Sequence, residues 1–252
     1  MKEDIIEKDE NILFLFDVDG TLTESRQKAP KEIIEMLKKL KEKVFTAFVG
    51  GSDLPKQKEQ LGENIHDLFD YEFPENGVQF FRNGELVSSN SMIEEIGESN
   101  NTKLINSIFK ALSEVKSTVL RGTFIESRRS MLNVSPIGRS CSQKEREDFF
   151  EFDKKEKSRE KLVSKIKGVC DDIGVQCSIG GQISIDIFPK GWDKRYCLQH
   201  IKQETIIFFG DKVEKGGNDY EIFNHERVKG IFTTGPFNTI ELVKEELKKL
   251  NK

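Results

Sequence analysis

The chain has 252 residues, enough for one large domain or two smaller ones with full hydrophobic cores. Its formal net charge of -4 gives no global basic field, which removes the simplest support for nucleic-acid binding. The opening MKEDIIEKDE lacks the apolar stretch of a secretory signal, and no run approaches the length of a membrane span.

Cysteine and histidine usage favours a reducing compartment and argues against a zinc site. The four cysteines show no C-x-x-C pairing, which is typical of free thiols; they are Cys141, Cys170, Cys177 and Cys197. Three scattered histidines do not make a zinc ligand set. We therefore expect a cytoplasmic protein with neither nucleic acid nor membrane as a partner.

The N-terminal part of the chain is predicted to form a strand, a helix and a second strand. NILFLF (11–16) is a continuous apolar run, typical of a strand covered on both faces. Ile33, Leu37 and Leu40 then recur at helical spacing, and VFTAFVG (44–50) is another buried-strand pattern. This order predicts a right-handed parallel crossover.

The middle of the chain indicates an antiparallel sheet with helices on one face. Asn83-Gly84 between two β-rich runs is a strong hairpin signal. ISIDIF (183–188) alternates, with Ser184 and Asp186 on its polar side. The other predicted elements are a helix through Leu104, Ile108, Leu112 and Val115, paired strands within 118–126 and 130–134, and a helix opened by the capping box at 142–145.

The C-terminal part returns to the first pattern. A helix is predicted at 192–201, strands at 205–210 and 228–234, and a final amphipathic helix at 237–249. We predict an α/β fold with a doubly wound parallel-sheet core formed by 1–85 and 189–252. Residues 86–188 are predicted to be an inserted α+β cap domain built on an antiparallel sheet.

Two carboxylates, Asp17 and Asp19, follow the first strand in FLFDVDGTLT (14–23). Ligands of open α/β sheets bind beyond the carboxyl ends of the strands, and residues two apart on an extended segment point the same way. Paired oxygen ligands favour Mg²⁺, which would neutralise a phosphoryl group attacked by Asp17. An ordinary polar turn is the alternative interpretation of D-x-D alone.

Three later segments supply companions for this pair. GGSD (50–53) offers the hydroxyl of Ser52 and exposed amides for a phosphate. Lys194 could reach the same phosphate as a point charge. GDKVEKGGND (210–219) adds Asp211 and Asp219 at another strand end. Each segment alone is also compatible with a solvated turn, so the prediction depends on their combination.

In this order the segments resemble the haloacid dehalogenase (HAD) superfamily of phosphotransferases. FDVDGTLT matches its first motif, Ser52 the second, Lys194 the third, and Asp211 with Asp219 the acidic fourth. Segments such as RGTFIESRRSMLNVSPIGRS, GGQISIDIFPKGWDKRYC and FFGDKVEKGGNDYEIF are similar to the eukaryotic phosphomannomutase family across nearly the whole chain. The resemblance implies a HAD-like core and a cytosolic homodimer joined through the cap.

The same resemblance implies the reaction and its cofactors. The family interconverts mannose 6-phosphate and mannose 1-phosphate, which supplies GDP-mannose synthesis and glycosylation. A hexose 1,6-bisphosphate, glucose 1,6-bisphosphate or mannose 1,6-bisphosphate, primes the enzyme. Asp17 would be the nucleophile that forms an aspartyl-phosphate, and Asp19 the proton donor and acceptor. Asp17, the main-chain carbonyl of Asp19 and Asp211 would hold Mg²⁺, with Asp219 as a further candidate ligand.

A mutase must also bind a second phosphate that does not react, and the insert is rich in arginine. Five of the ten arginines fall within 26 residues: Arg121, Arg128, Arg129, Arg139 and Arg146. Arginine binds phosphate through two parallel hydrogen bonds. The resemblance assigns the distal phosphate and sugar to Arg128, Arg139 and Arg146 with Arg26, and the sugar hydroxyls to Ser184 and Asp186. Solvated surface arginines are the alternative.

Two other functions remain open from the sequence. A HAD sugar phosphatase would use the same aspartates but pass the phosphoryl group to water, and it would not need the arginine-rich cap. A non-catalytic sugar-phosphate-binding protein would need neither Asp17 nor Asp19. No residue identifies mannose rather than glucose, which differ only at C2.

Overall fold

The structure is a computed structural model, and it describes residues 8–25 and 27–251. The strands of this part are β1 (Asp9–Phe16), β2 (Val44–Val49), β3 (Tyr71–Phe73), β4 (Gln79–Arg82), β5 (Glu85–Ser89), β6 (Ile125–Ser127), β7 (Leu132–Val134), β8 (Val175–Gly180), β9 (Ser184–Pro189), β10 (Thr205–Gly210) and β11 (Val228–Phe232). The helices are α1 (Lys31–Lys41), α2 (Leu54–Leu61), α3 (Met92–Ile96), α4 (Glu98–Glu114), α5 (Gln143–Glu156), α6 (Ser158–Ile173), α7 (Tyr220–Phe223) and α8 (Pro236–Lys249). Short 3₁₀ helices lie at Ile65–Asp67, Pro74–Gly77 and Lys194–His200.

Two compact units divide the described residues. One contains the chain up to Ser89 and from Gly191 onward, and the other is Asn90–Lys190. The first unit, the core, is built on a seven-stranded sheet in the order β11-β10-β1-β2-β3-β4-β5. Its first five strands are parallel, and β4 and β5 are antiparallel additions. The predicted α/β fold class is confirmed.

Strand β1 explains why NILFLF is apolar at every position. Phe14 and Phe16 pack in one hydrophobic cluster with residues of α1 and α8, such as Leu37. Leu13 and Leu15 point to the other face of the sheet, where they form a second hydrophobic cluster with residues of the 3₁₀ helix Lys194–His200. Because both faces are covered, β1 is central and buried, and the residues that follow it emerge at the carboxyl edge of the sheet.

The second unit, the cap, is built on a four-stranded antiparallel sheet in the order β6-β7-β9-β8. All three residues of β7 are buried, including Val134, and on β9 Ile185 and Ile187 are buried while Asp186 between them is half-buried. The predicted capping box is confirmed: the Ser142 hydroxyl accepts from the backbone N–H of Glu145, whose side chain accepts from the backbone N–H of Ser142. Helix α5 therefore starts where the sequence predicts it.

Three local predictions need adjustment. The sequence starts the insert at 86, but β5 forms a hairpin with β4 through Asn83 and Gly84, both at positive φ, so the second unit begins at Asn90. Of the predicted strand 118–126 only its end is extended, because Thr123 has φ +55° and pairs with the loop after β7 instead. The segment 192–201 forms a 3₁₀ helix rather than an α-helix.

The cysteines agree with one further expectation. All four cysteines are free thiols; Cys170 on α6 and Cys177 on β8 approach to 3.7 Å between their sulfur atoms. Across residues 8–25 and 27–251, no helix is long and apolar enough to cross a bilayer.

Candidate active site

The carboxyl ends of β1 and β10 carry the acidic residues of the core. Asp17 directly follows β1, and its backbone N–H donates to the Phe209 carbonyl at 2.9 Å, which fixes the start of the turn against the neighbouring strand. Asp211 directly follows β10, and Asp219 directly precedes α7. These segments lie about 200 residues apart in sequence but meet because their strands are adjacent in the sheet.

Lys194, at the first position of its 3₁₀ helix, lies between two of these carboxylates. Its ammonium donates to Asp17 Oδ1 and, at 2.5 Å, to Asp219 Oδ1. Asp219 Oδ2 in turn accepts from the backbone N–H groups of Asp211 and Lys212, each at 3.1 Å. Lys194, Asp17 and Asp219 are all buried. The arrangement is a buried cation held between two anions, and one of those anions is anchored to the backbone.

Burial and charge shift the titration of this cluster. Burial raises the pKa of Asp17 to about 7, an effect that Lys194 opposes and Asp219 reinforces. Burial disfavours the ammonium form of Lys194, but the charges of Asp17 and Asp219 outweigh it, so the pKa of Lys194 lies above its usual value. Burial also raises the pKa of the Asp211 carboxyl. Lys194 therefore remains charged and favours the carboxylate form of Asp17.

The same carboxylates fit a hard divalent cation. Oxygen atoms of Asp17, Asp211 and Asp219 lie within 4.8 Å of one another. Asp17 Oδ2 and Asp211 Oδ1 are buried and accept no hydrogen bond from any described residue. Both oxygens of Asp219 are already used by Lys194 and by backbone N–H groups. A buried carboxylate oxygen without a partner is costly, so Asp17 and Asp211 are the ligand candidates and Asp219 instead holds Lys194.

The turn after Asp17 is shaped around Asp211. Gly20 has φ +85°, and a Cβ at this position would lie 2.2 Å from Asp211 Oδ2. Its backbone N–H donates to the Thr23 carbonyl at 2.7 Å, which closes the turn. Glycine is required here both for the left-handed conformation and for the close approach of the carboxylate.

The Asp19 side chain contacts helix α2. Its Oδ1 accepts a hydrogen bond from Gln60 Nε2 at 2.8 Å, and the same amide donates to Thr23 Oγ1 at 3.3 Å. Gln60 is buried on the inner face of α2. The Asp19 side chain is outside the acidic cluster, and its predicted metal ligand, the main-chain carbonyl, stays a prediction.

Ser52 lies in the loop after β2, next to β1 in the sheet. The loop is held by backbone hydrogen bonds: the Ser52 carbonyl accepts from Glu75 N at 2.9 Å, and the Gly50 carbonyl accepts from Asn76 N at 2.9 Å. Asp53 caps α2, because its carboxylate accepts from Lys56 N at 3.0 Å. Ser52 thus belongs to the carboxyl edge that carries Asp17, and its contact with phosphate stays a prediction.

In the cap, two of the predicted arginines contact the same glutamate. Arg128 Nη2 donates to Oε2 of Glu126 at 2.9 Å, and Arg139 Nε forms an ion pair with the same atom at 2.7 Å. Arg146, in the first turns of α5, donates to the Arg139 carbonyl at 2.9 Å. Asp186 accepts from the Asn133 amide at 2.5 Å, and burial raises the pKa of its carboxyl.

The remaining predicted residues are placed differently. Arg121 pairs with Glu145 at the start of α5, apart from the other arginines, and Arg129 is exposed. Ser184 is buried at the start of β9. The prediction for Arg26 falls outside the described residues.

The sequence of the chain matches the model of a known protein family. The model of eukaryotic phosphomannomutase matches residues 33–249. The chain belongs to the eukaryotic phosphomannomutase family. It is 54% identical over 246 residues to the phosphomannomutase of Encephalitozoon cuniculi, covering 96% of each chain. It is 49% identical over 236 residues to that of Saccharomyces cerevisiae, covering 92% of this chain and 93% of the yeast protein. The resemblance seen in the sequence is confirmed, and the family member is an isomerase-type phosphotransferase.

Solved structures place the fold among HAD phosphatases. A trehalose-6-phosphate phosphatase of Aspergillus fumigatus matches with a TM-score of 0.61 and 14% identity, over 95% of this chain and 92% of that one. A HAD subclass IIB sugar phosphatase matches with a TM-score of 0.56 and 17% identity, over 95% and 98%. At such low sequence identities, the structural similarity supports a HAD fold for this chain and carries no information about its substrate.

Sequence reasoning missed three polar residues of this family member: Gln60, Glu126 and Asn133. Gln57 and Gln60, three apart on the buried face of α2, were a local signal, because polar residues there need partners. Glu126 lies only two residues from its partner Arg128, whereas Asn133 had no local signal, since its partner Asp186 comes from another strand.

Proposed function

We propose that this enzyme interconverts mannose 6-phosphate and mannose 1-phosphate by phosphoryl transfer through Asp17. The observation that carries the proposal is the environment of Asp17, whose Oδ1 is paired with Lys194 and whose buried Oδ2 accepts no hydrogen bond within the described part of the chain. The sequence identities of 54% and 49% to proteins named phosphomannomutase support the choice of substrate.

Asp17 would attack the phosphoryl group and carry it as an aspartyl-phosphate. The attacking group must be a carboxylate, and burial opposes that form, so Lys194 is needed to offset the cost. Mg²⁺, held by Asp17, Asp211 and the main-chain carbonyl of Asp19, would neutralise charge on the phosphoryl group. Ser52 and the amides of its loop would hold phosphate oxygens.

Asp19 would protonate the leaving sugar oxygen and later accept a proton from the attacking hydroxyl. Its hydrogen bond with Gln60 supports this role, because a side chain that moves a proton must be held in one direction.

The cap would bind the phosphate that does not react. Arg128, Arg139 and Arg146 are proposed to bind it, together with Arg26 from the core sequence, and Ser184 and Asp186 to bind sugar hydroxyls. A hexose 1,6-bisphosphate would prime Asp17 and then be regenerated within each cycle. The arginine cluster favours a mutase over a phosphatase, because hydrolysis requires no second phosphate site.

The cellular setting is part of the same proposal. We place the reaction in the cytoplasm, where it would supply GDP-mannose for glycosylation, and the four free thiols fit a reducing compartment. The cap is proposed to mediate a homodimer, as the sequence resemblance implies.

A single assay tests the reaction. Purified protein with Mg²⁺ and mannose 1-phosphate is followed for mannose 6-phosphate and inorganic phosphate together, with and without glucose 1,6-bisphosphate. We expect mannose 6-phosphate to form faster with the bisphosphate, with little free phosphate. Asp17→Asn should abolish transfer, whereas Lys56→Met on the exposed face of α2 should not change it.

Other outcomes have distinct meanings. Free phosphate as the main product under both conditions would make the protein a phosphatase. Tight binding of mannose 1-phosphate without turnover would make it a binding protein. Turnover by purified Asp17→Asn would remove the covalent mechanism.

A further inference from the structure

One row of polar residues crosses the cap sheet. Glu126 on β6 is paired in register with Asn133 on β7, and Asn133 is paired with Asp186 on β9. The neighbouring pairs between β7 and β9, Val134 with Ile185 and Leu132 with Ile187, are buried and apolar. Because side chains alternate along a strand, the three polar residues lie side by side on the face opposite those apolar pairs.

Glu126 holds two arginines with a single oxygen atom. Its Oε2 accepts a hydrogen bond from Arg128 and forms an ion pair with Arg139, so two guanidinium groups that repel each other are kept close together. Two adjacent guanidinium groups are the arrangement that binds a dianionic phosphate. The carboxylate thus provides an ordered pair of cations before any ligand arrives, which lowers the entropy lost on binding.

Asn133 connects this pair to Asp186. Its Oδ1 accepts from Arg139, and its Nδ2 donates to Asp186 Oδ1 at 2.5 Å. Asn133 is buried. Its two neighbours demand one acceptor and one donor, a combination that an amide supplies and that Asp, Leu or Ala does not. Hydrogen bonds join Arg128 to Glu126, and Arg139 through Asn133 to Asp186, and an ion pair between Glu126 and Arg139 connects the two parts.

We infer that Glu126 and Asn133 are positioning residues that set the spacing between the phosphate-binding arginines and the sugar-binding Asp186. The inference rests on the proposed function, because it takes Arg139 and Asp186 as ligand-binding groups. Neither residue touches the ligand in this scheme; each acts through the side chains it holds. Through this network, the residues that bind the phosphate and the residue that binds the sugar hydroxyls act together rather than independently.

The direction in which KM changes in Glu126→Ala distinguishes a positioning role from a simple effect of charge. Glu126 is an anion near a site for anionic phosphate, so on charge alone Glu126→Ala would bind hexose phosphate more tightly. Positioning predicts the opposite, because the two arginines then repel and separate. We expect KM for mannose 1-phosphate to rise about tenfold in Glu126→Ala and in Asn133→Ala, the scale of one lost hydrogen bond to a charged group. The value of kcat should change much less.

The experiment compares these variants with two references. Ser178→Ala changes an exposed residue that pairs with Asp186 in register from β8, and it should leave KM unchanged. Arg139→Ala removes a proposed phosphate ligand and should raise KM by itself. If Asn133 acts partly through Arg139, Asn133→Ala should raise KM less in the Arg139→Ala background than in the wild type. Melting temperatures of all variants are measured alongside, and Glu126→Gln, which keeps one acceptor oxygen, should show an intermediate KM.

The outcomes distinguish this inference from the proposed function. If Arg139→Ala raises KM but Glu126→Ala and Asn133→Ala do not, the positioning role is refuted and the arginine assignment stands. A fall in KM for Glu126→Ala, or full multiplicativity of Asn133→Ala with Arg139→Ala, would also refute it. If Arg139→Ala leaves KM unchanged, the arginine assignment fails and the positioning role fails with it. A KM that rises only in variants with lowered melting temperature would indicate a structural role instead.

Discussion

Lys194→Met is the substitution that tests the buried charge cluster most directly. Methionine has a similar length but no charge, so it leaves Asp17 and Asp219 as two buried carboxylates without their shared cation. Removing one partner of a buried ion pair costs about 3–5 kcal/mol, because the remaining charge is uncompensated. For a protein of this size about 2 °C of melting temperature corresponds to 1 kcal/mol, so the expected loss is about 6–10 °C.

The assay is thermal unfolding in EDTA, followed by the same measurement with Mg²⁺. Lys56→Met is the matched control: its ammonium pairs with Glu59 on the surface, where both side chains are exposed, and should change the melting temperature by no more than about 2 °C. The double variant Lys194→Met with Asp219→Asn should be more stable than Lys194→Met alone, because one of the orphaned charges is removed. A melting temperature of Lys194→Met equal to that of Lys56→Met would refute the buried cluster.

Three further changes test other parts of the structure. Gly20→Ala should lower kcat by about tenfold or more, because the added Cβ would displace Asp211. It should also abolish the rise in melting temperature that Mg²⁺ gives the wild type, a rise that corresponds to about 2.7 kcal/mol when Mg²⁺ is at 100 times its dissociation constant. Glu72→Gln should raise the melting temperature at pH 8 and much less at pH 5. Burial raises the pKa of the Glu72 carboxyl, so the wild type loses stability as pH rises through the pKa that this carboxyl has in the folded state. An equal change in melting temperature at both pH values would contradict this reasoning. Ser142→Ala should cost about 1 kcal/mol in denaturant unfolding through loss of the α5 cap, and no loss would mean that water replaces it.

Patterns within one segment predicted the fold well. The apolar run of β1, the Asn83-Gly84 turn and the Ser142 capping box each depend on residues close in sequence, and each is found in the structure. The limits appeared where distant residues decide the conformation. The segment 118–126 has β propensity throughout, yet most of it pairs with a loop rather than a strand, because Thr123 adopts a positive φ.

The candidate site likewise has residues that the sequence indicated and contacts that it did not. Asp17, Asp19, Ser52, Lys194 and Asp211 could be proposed from the sequence because they lie at element ends within recognisable motifs. What they touch was not predictable: Lys194 was expected to reach a phosphate as a point charge, whereas the structure pairs it with Asp17, 177 positions away. Likewise, Asn133 meets Asp186 only through the register of the cap sheet. Such partnerships are set by strand order, which no local pattern encodes.

The position of β1 in the core sheet has a consequence for how the chain is made. β1 lies between β2 and β10, and 188 residues separate Phe16 from Thr205. A ribosome adding about 5–20 residues per second needs roughly 10–40 s to cover that distance. During that time the apolar β1 has one unpaired edge, the kind of edge on which chains aggregate. The contiguous cap, Asn90–Lys190, is synthesised complete within this interval, and the second edge of β1 gains its partner only when β10 emerges.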